Sequence, residues 1–595
     1  MDLSPEEKQI GKDNYQRVMG EGLLESRRDF LKELTLAGTV VAGGVGAAYF
    51  GYDKKLGDPV RIGIIGTGDQ GNVLMGSLNP DYVTVKAIAD IRPYSVHRAF
   101  HGDAYSTSAL KARPGLIQTF GYANEKAAKA EIDVYQDYHE LLERDDIEAV
   151  IIALPLWLHD VAAIAAMQKG KHVLTEKLMA HSVAQCKEMA RVADATGTLL
   201  ATGHQRHYSI LYGNAVDTIK RGLIGDIHHL RAQWHRGNLP GKDSWQPPLP
   251  TEPLTKGEVD QLRREARKIS DAAEQAVIEK YKIVLELDSW SRKLAEQVKP
   301  SDIALWEKKV AQKRAQLDDL DVNATKYGYQ PGTVGDSYER SALEELIRWR
   351  LWNRTGGGLM AELGSHQLDA AGIFISSQFE GKTKVRPLAV SGSGQRSIFP
   401  HDRDVDDHVV CTYEYPGKGY FEDNDPTKAA ADESRRILVS YSSINGNGYG
   451  GYGEVVLGTE GTLILEREQE TMLYSGAKTR TSVKVGDKSN LVESYETGGG
   501  QAAVAAAAVE ADVSRGYREE IEHWAWCIRN GEPSSTLHCN PKVALADAVV
   551  ALTSNIAMDE NRRVEFDPAW FDPDSDATPE GKAPRKAGDI TIAKA

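Results

Sequence analysis

The sequence predicts an α/β protein in two parts. The first is a doubly wound parallel sheet, and the second is an α+β domain with a large, open, mostly antiparallel sheet and a helical-hairpin insertion. Between residues 60 and 204, short apolar runs alternate with helix-compatible stretches, which indicates parallel strands covered by helices on both faces. After Arg206 the segments become longer and richer in strand-forming residues. Between residues 254 and 322, apolar residues recur at three- and four-residue steps, as in paired amphipathic helices.

Size and charge limit the classes of partner. The chain has 595 residues, 41% of them apolar, which is enough for more than one core. Its 71 Lys and Arg residues against 86 Asp and Glu residues give a net charge of −15, which disfavours nucleic acid and anionic lipid as partners. The four cysteines are far apart and form no C-x-x-C pair, so no structural metal site is predicted. We therefore expect a small-molecule ligand.

The N-terminal region resembles a twin-arginine export signal. Ser26-Arg27-Arg28-Asp29-Phe30-Leu31-Lys32 precedes a mildly apolar stretch, residues 34–52, that five glycines interrupt. A core helix would not tolerate five glycines at about 1 kcal/mol each. We therefore expect residues 1–56 to be a signal or anchor with a linker, and the protein to be exported to the periplasm or another extracytoplasmic space. Cleavage of the signal is left open, and membrane contact is expected only through this segment if it is retained.

The first domain is predicted to span residues 57–206. In doubly wound sheets, ligands bind beyond the carboxyl ends of the strands. The predicted strands are Val60–Ile65, Tyr82–Ala89, Ala149–Leu154, Lys171–Thr175 and Thr198–Thr202. The residues at their carboxyl ends are Gly66–Gly71, Asp90, Pro155–His159, Glu176, Lys177 and His204–Arg206.

The first of these strand ends carries a dinucleotide-binding fingerprint. Gly66-Thr67-Gly68-Asp69-Gln70-Gly71 follows a buried strand and opens a helix, and Asp90 ends the next strand. Asp90 is expected to bind the adenosine ribose 2′-OH and to favour NAD, whereas Arg92 would suit the 2′-phosphate of NADP, so both cofactors stay open. The residues expected at the cofactor are Gly66, Gly68, Asp69, Gln70, Gly71, Asp90, Arg92, Pro155, His159 and Glu176.

Lys177 is the first candidate catalytic residue. It leaves a buried strand on the edge where the nicotinamide should lie, and a lysine there can polarise or deprotonate a substrate hydroxyl. Partial desolvation would lower its pKa, whereas Glu176 would raise it by pairing with the ammonium group. The alternative is an ordinary surface lysine in a strand-to-helix loop.

A second group of candidates lies within Gly356–Asp369. If this segment opens a helix, Glu362, His366 and Asp369 lie on one face. A carboxylate and an imidazole one turn apart can transfer a proton or bind a metal. With no third ligand at convincing spacing, we predict proton chemistry at Glu362 and His366 and no metal. Arg206 and Asp369 are expected to bind substrate; the alternative for His366 is a structural role.

The second domain is predicted to span residues 207–568 and to bind substrate and form oligomers. Its insertion, residues 254–322, reads as a charged helical hairpin, for which a structural or oligomer-forming arm is favoured over a lid on the active site. A homo-oligomer is expected through the large sheet or this insertion. The final segment, residues 569–595, is polar and is expected to be a loose tail.

The order of these motifs resembles the glucose–fructose oxidoreductase/inositol dehydrogenase/MocA (Gfo/Idh/MocA) family, from about Pro59 to Pro568 without the insertion. The resemblance implies that Lys177 is the lysine of the family's glutamate-lysine-proline motif. It also implies that Glu362 and His366 match its aspartate and histidine four residues apart. Two departures stand out: Leu178 replaces the proline, which is expected to loosen the lysine loop, and Glu362 replaces the aspartate.

The expected function is NAD(P)-dependent oxidation of a hydroxyl of a sugar, cyclitol or related polyol. Because export leaves the nicotinamide pool behind, the dinucleotide is expected to be held tightly. One alternative is a redox-neutral glycoside hydrolase or lyase of the same fold, although Gly364-Ser365-His366-Gln367 stands where that branch has Thr-His-Gly. The other is a non-catalytic nucleotide-binding sensor or scaffold.

Overall fold

The computed structural model describes residues 3–26, 44–53, 55–239, 246–250, 254–268, 278–335, 338–381, 384–399, 402–476 and 515–591. The Arg27-Arg28 pair of the predicted export signal lies outside the described residues.

The predicted parallel sheet is confirmed. Its strand order is β3-β2-β1-β4-β5-β6, and every neighbouring pair is parallel. This is the order of a doubly wound dinucleotide-binding domain. The strands are β1 (Val60–Ile65), β2 (Val83–Ala89), β3 (Asp133–Tyr135), β4 (Ala149–Ile152), β5 (His172–Thr175) and β6 (Leu200–Thr202).

Helices cover both faces of this sheet. Along β4, Val150 and Ile152 pack into one apolar cluster, whereas Ala149 and Ile151 pack into the other. This is why the strand is apolar at every position rather than at alternate ones. The helices of this region are Asp69–Ser77, Pro93–His101, Thr107–Ala112, Gly115–Phe120, Glu125–Lys129, Tyr138–Leu142, His159–Gln168 and Val183–Thr196.

The second sheet has eight strands in the order β15-β14-β13-β7-β12-β11-β10-β16. All neighbouring pairs are antiparallel except β7 and β12, so the prediction of a large, mostly antiparallel sheet is confirmed. A separate ribbon pairs β8 with β9. The strands are β7 (Ile227–His235), β8 (Gly332–Val334), β9 (Tyr338–Arg340), β10 (Ala389–Gln395), β11 (His408–Pro416), β12 (Arg436–Ile444), β13 (Tyr452–Gly458), β14 (Gly461–Glu466), β15 (Glu470–Ser475) and β16 (Val564–Glu565).

Two long apolar helices, Ser365–Ser376 and Pro541–Asp559, pack against this sheet. Among the described helices, Pro541–Asp559 is the one that is long and apolar enough to cross a membrane. However, 72% of that segment is buried inside the protein, as in the core helix of a globular domain. Outside the insertion, the other described α-helices after β6 are Ile210–Lys220, Ala342–Ile347, Asn353–Gly356 and Tyr517–Asn530.

The N-terminal residues are more than a signal and linker, which corrects the expected 1–56 unit. Helix Pro5–Ser26 packs on the edge strand β15, where Asn14 Nδ2 donates to the Leu473 carbonyl at 3.1 Å. Lys8 of this helix pairs with Glu466 at the end of β14 at 2.6 Å. Helix Gly44–Phe50 lies against helix Tyr517–Asn530. These residues belong to the folded body because they bury side chains and satisfy backbone groups of the second domain.

The insertion docks on the first domain instead of projecting as an arm. Its described helices are Lys256–Ala266, Lys282–Ala295 and Pro300–Asp318, and the last two pack against each other. Helix Pro300–Asp318 also packs on helix Pro93–His101 of the first domain. Pro300 starts this helix at a position where its missing N–H costs nothing.

The expected loose tail is wrong, because residues 569–591 form a strap across the first domain. The buried ammonium of Lys187 donates to the carbonyls of Ala569, Ser575 and Ala577 at 2.9, 3.0 and 2.7 Å. Arg585 pairs with Glu188 at 2.6 Å. The strap is polar because these charged groups bind its backbone, not because it is unfolded.

Candidate functional site

A cleft of about 870 Å³ lies between the carboxyl ends of β1–β5 and the second domain. Parallel sheets place ligands at this edge. Its lining contains twelve of the predicted site residues. Ten come from the first domain, namely Gly66, Gly68, Asp69, Gln70, Asp90, Arg92, Pro155, His159, Glu176 and Lys177, and two, Glu362 and His366, come from the second.

The glycine loop fits the pyrophosphate of a dinucleotide. Gly66 has a φ of +87°, and a Cβ there would lie 2.5 Å from the Ala153 carbonyl oxygen. A Cβ on Gly71 would lie 2.2 Å from the Gly66 carbonyl oxygen, so both positions require glycine. At Gly68, no described atom lies within 4 Å of the Cβ position, and helix Asp69–Ser77 begins there. The open space in front of the helix N–H groups is therefore available to an anion.

Asp90 lies beside this loop at the end of β2. Its Oδ2 accepts hydrogen bonds from Thr67 N at 2.7 Å and from Thr67 Oγ1 at 3.1 Å, and its Oδ1 accepts one from Arg92 N at 2.9 Å. The Arg92 guanidinium turns away to Asp319 at 2.7 Å and to Gln246 at 2.7 Å. The carboxylate is thus fixed next to the loop, while the neighbouring cation is already paired.

Two side chains of the loop connect it to the rest of the cleft. Asp69 pairs with Arg98 at 2.6 Å. Gln70 Nε2 donates to Glu176 Oε1 at 2.8 Å, which joins the loop to the end of β5. The glycine loop and the residues before Lys177 therefore form one connected wall.

Lys177 projects into the cleft from the end of β5. Its Nζ donates to the carbonyl of Ala361 at 3.4 Å and to that of Glu362. Burial lowers the pKa of Lys177 to about 8, although the Glu176 and Glu362 carboxylates oppose the change. An amine with such a pKa can accept a proton near neutral pH.

The loop that carries Lys177 is firmly held, contrary to the expectation from Leu178. The Leu178 side chain is 1% exposed, and its carbonyl lies 2.8 Å from His159 Nδ1. His159 Nε2 lies 2.9 Å from the Leu154 carbonyl oxygen. Buried packing and these contacts fix the loop where a proline ring is absent.

Glu362 lies in a π-helical turn, Met360–Gly364, that continues into helix Ser365–Ser376. The wider turn replaces the regular α-helix that the spacing predicted, and such turns are frequent at functional sites. Glu362 Oε1 accepts from Arg236 at 2.9 Å and lies 3.9 Å from Arg350. Burial raises the pKa of Glu362, but Arg236 and Arg350 outweigh this effect and lower it. Glu362 is therefore an ionised acceptor at neutral pH.

His366 lies on the first turn of the following helix and lines the cleft. Burial, followed by the charges of Lys177 and Arg206, holds the pKa of this imidazole well below its usual value. Its Nδ1 has no hydrogen-bond partner among the described residues, and the ring centre lies 6.0 Å from that of Trp234. A neutral imidazole of this kind can exchange hydrogen bonds with a ligand hydroxyl.

Arg206 and Asp369, the two expected substrate ligands, lie behind the cleft wall. Arg206 is 1% exposed and pairs with Glu468 at 2.7 Å and Glu454 at 3.3 Å. Asp369 is fully buried and accepts from Lys384 at 2.5 Å. The expectation of direct substrate contact is therefore not supported, because both charges are compensated inside the protein.

Buried acidic residues near Asp369 resemble a metal site in composition. Ligand atoms of His207, Asp369 and Asp547 lie within 4.8 Å of one another. Lys384 Nζ binds both carboxylates and already supplies a cation there. We assign this group to packing and charge compensation.

Sequence reasoning missed several residues that line the cleft. Trp234 and Arg236 lie at the end of β7, and Arg350 and Tyr517 come from segments without a recognisable motif. Trp234 and Arg236 could have been found from the strand-forming run that they end. Arg350 and Tyr517 gave no such signal because only the tertiary fold brings them to the cleft.

Comparisons with known proteins agree with this geometry. Residues 60–204 match the family model described as "Oxidoreductase family, NAD-binding Rossmann fold" (GFO_IDH_MocA). A glycosyl hydrolase family 109 protein of Solibacter usitatus is 30% identical over 218 residues, which cover 34% of this chain and 44% of the relative. A 2,7-anhydro-N-acetylneuraminate hydratase of Mediterraneibacter gnavus is 34% identical over 111 residues, which cover 18% of this chain and 30% of the relative. The chain thus spans less than half the length of these relatives.

Among solved structures, the fold is similar to that of an aldose-aldose oxidoreductase from Caulobacter crescentus complexed with glycerol. The match covers 86% of this chain and 100% of that one, with 14% identity and a TM-score of 0.45. Residues 60–204 are therefore similar in sequence to the NAD-binding Rossmann domain of the GFO_IDH_MocA oxidoreductase family.

Proposed function

We propose that the protein is an NAD-dependent oxidoreductase that acts on a hydroxyl of a sugar, cyclitol or related polyol. The observation that carries the proposal is the position of Lys177 in the same cleft as the glycine loop, with its pKa lowered to about 8. Gly66, Gly68 and Asp90 would hold the dinucleotide. NAD would supply a hydride acceptor when bound.

The residues of the chain would manage the proton and the orientation of the substrate. The neutral amine of Lys177 would accept the proton of the reacting hydroxyl, and neutral His366 would bind the same or an adjacent hydroxyl. Trp234 offers an apolar ring surface beside His366 for the face of a sugar ring. Carbohydrate chemistry is further supported by the names of both sequence relatives.

We further propose that NAD is bound before export and is then retained. The Arg27-Arg28 motif supports export by a route that carries folded protein, to a space without a nicotinamide pool. A homo-oligomer through the second sheet is proposed as well, because Val410 and Leu438 on β11 and β12 are 50% and 48% exposed.

The test is to purify the mature protein, release any bound nucleotide by heat and identify it by mass spectrometry. Candidate sugars and cyclitols are then added to the intact protein while NADH absorbance is followed. We expect bound NAD and its reduction by at least one polyol. A protein that binds neither NAD nor NADP would contradict the proposal.

A redox-neutral reaction is the second candidate, and one observation favours it. Two of the sequence relatives are named a glycosyl hydrolase and a hydratase. Release of nitrophenol from nitrophenyl glycosides, without accumulation of NADH, would support this candidate over the first. No release from a panel of glycosides would reject it.

A further inference from the structure

We propose that residue Asp319 of the helical insertion, acting through Arg92, makes the proposed adenosine pocket select NAD against NADP. This inference rests on the proposed dinucleotide binding. It gives the insertion a role at the cofactor site in place of the structural or oligomer-forming arm that the sequence favours.

The first observation is the ion pair between Arg92 and Asp319. Both Nε and Nη2 of Arg92 donate to Asp319 Oδ2, at 2.9 and 2.7 Å. The other oxygen of Asp319 accepts from the backbone N of Tyr94 at 3.0 Å. Asp319 is fully buried, so this pairing takes place away from solvent. The guanidinium is thus held in a fixed position by a carboxylate from a distant part of the chain.

The second observation is the connection of this pair to Asp90. The backbone N of Arg92 donates to Asp90 Oδ1 at 2.9 Å, and Asp90 Oδ2 accepts from Thr67 in the glycine loop. Asp90 and Arg92 line the cleft, whereas Asp319 lies behind Arg92. Asp319 is therefore a positioning residue that determines the charge presented by Arg92.

The third observation is that further contacts fasten the insertion to the same side of the pocket. Gln312 Oε1 accepts from Ala104 N at 2.6 Å, and Gln312 Nε2 donates to Asp103 Oδ1 at 2.8 Å. Tyr329, which follows the insertion, lines the cleft and contacts Trp157 edge to face. The insertion is thus attached to the first domain by buried polar contacts of Gln312, in addition to the pair between Asp319 and Arg92.

Charge balance then determines which dinucleotide fits. At the end of β2, Asp90 and Asp319 carry two negative charges beside the one positive charge of Arg92, so these three groups together leave one net negative charge. A ribose 2′-OH can donate to Asp90 in this environment, whereas a 2′-phosphate would be repelled and would find no unpaired cation at Arg92. Without the charge of Asp319, Arg92 would be free to bind the phosphate.

The experiment is a competition on the full-length protein. Wild type, Asp319→Asn and Arg92→Gln are incubated to equilibrium with equal concentrations of NAD and NADP, and the retained nucleotides are quantified by mass spectrometry. The matched control is Glu286→Gln. It removes an insertion carboxylate that lies away from the pocket and pairs with Lys313 at an N–O distance of 2.6 Å.

We expect Asp319→Asn to raise the ratio of bound NADP to NAD by about tenfold or more. Arg92→Gln should lower that ratio, and Glu286→Gln should leave it unchanged. These opposite directions separate charge selection from loss of structure, because a damaged pocket would change both variants in the same way.

An unchanged ratio in Asp319→Asn, or a shift in the same direction in both variants, would overturn this inference while leaving NAD binding intact. A wild-type protein that retains neither nucleotide would overturn the proposed function as well. The two failures are therefore distinguishable.

Discussion

Lys177 shows how opposing influences set the pKa of one residue. Burial favours its neutral form, whereas the Glu176 and Glu362 carboxylates favour the ammonium form, and the balance lowers its pKa to about 8. Its hydrogen bonds go to backbone carbonyls, which hold the amine in place without a permanent countercharge in contact with it.

Replacement of Lys177 by Ala is expected to reduce kcat by about 10²–10⁴-fold, because the proton acceptor is lost. Binding of NAD should be unchanged. Lys177→Arg keeps the positive charge but cannot accept a proton, so it should be equally impaired in a steady-state assay. Substantial activity in the arginine variant would argue against a base at this position.

The pH profile follows from the same balance. Since the neutral amine is the proposed active form, kcat/KM for oxidation should rise about tenfold per pH unit below pH 8 and level off above it. Glu362 raises the pKa of Lys177, so Glu362→Gln should move the inflection to lower pH. An inflection that stays in place or moves to higher pH would contradict this assignment.

Residues at strand ends could be predicted from the sequence, but their charge partners could not. Asp90, Glu176 and Lys177 follow apolar runs, and the edge rule for parallel sheets places them at the cleft. Arg206 also follows such a run, yet it pairs with Glu468, which is 262 residues away in the sequence. This pair holds the Arg206 side chain outside the cleft. Nothing in the local sequence signals that pairing.

At the scale of elements, the turn from β1 into helix Asp69–Ser77 contains two kinds of glycine: some are required because a Cβ would clash, and one has empty space at its Cβ position. Gly66 and Gly71 are required by backbone contacts, whereas Gly68 faces open space in the described structure. Among these three glycines, only Gly68 can therefore be substituted to test ligand binding without a steric clash in the folded protein.

Gly68→Ala is expected to weaken NAD binding by about tenfold or more, because a methyl group would enter the space needed for the close approach of pyrophosphate. The free energy of unfolding without nucleotide should change by less than about 1 kcal/mol. Gly57→Ala is the matched control, since its Cβ also meets no described atom within 4 Å but lies outside the loop. Calorimetric titration and urea unfolding measure the two effects; equal NAD affinity in both variants would contradict the assignment.

Other elements follow from the sequence only in part. Helical periodicity predicted the insertion, but its docking onto helix Pro93–His101 depends on buried polar pairs such as Gln312 with Asp103. The spacing of Glu362 and His366 predicted a regular α-helix. The π-helical turn Met360–Gly364 could not be predicted from the periodicity of the sequence. Periodicity indicates which residues share a face but not which surface that face meets.

At the scale of the molecule, both sheets were predictable and the domain boundaries were not. Strand runs and their connections gave the parallel and antiparallel sheets in the correct parts of the chain. The strap at residues 569–591 and helix Tyr517–Asn530 nevertheless return to the first domain, where Ile521 and Trp524 join its core. A boundary drawn at residue 206 separates pieces that pack together.

Lys187→Met is expected to destabilise the protein by about 3 kcal/mol, because it removes charged hydrogen bonds to three carbonyls of the strap. Hydrogen exchange should show faster exchange in residues 572–591. Lys169→Met is the control, since this side chain is 47% exposed and its pair with Glu143 should contribute less than about 1 kcal/mol. Equal effects in urea unfolding would show that the strap is not held by Lys187.

The return of helix Tyr517–Asn530 to the first domain has a consequence for biosynthesis. All six strands of the parallel sheet have been synthesised by residue 202, yet this helix, which packs on β1 and on the helix after the glycine loop, begins only at Tyr517. In a nascent chain, the proposed nucleotide-binding cleft therefore stays incomplete while residues 203–516 are translated. The cleft is completed only near the end of translation. Nucleotide binding and folding to the native state are therefore expected to occur late and at nearly the same time.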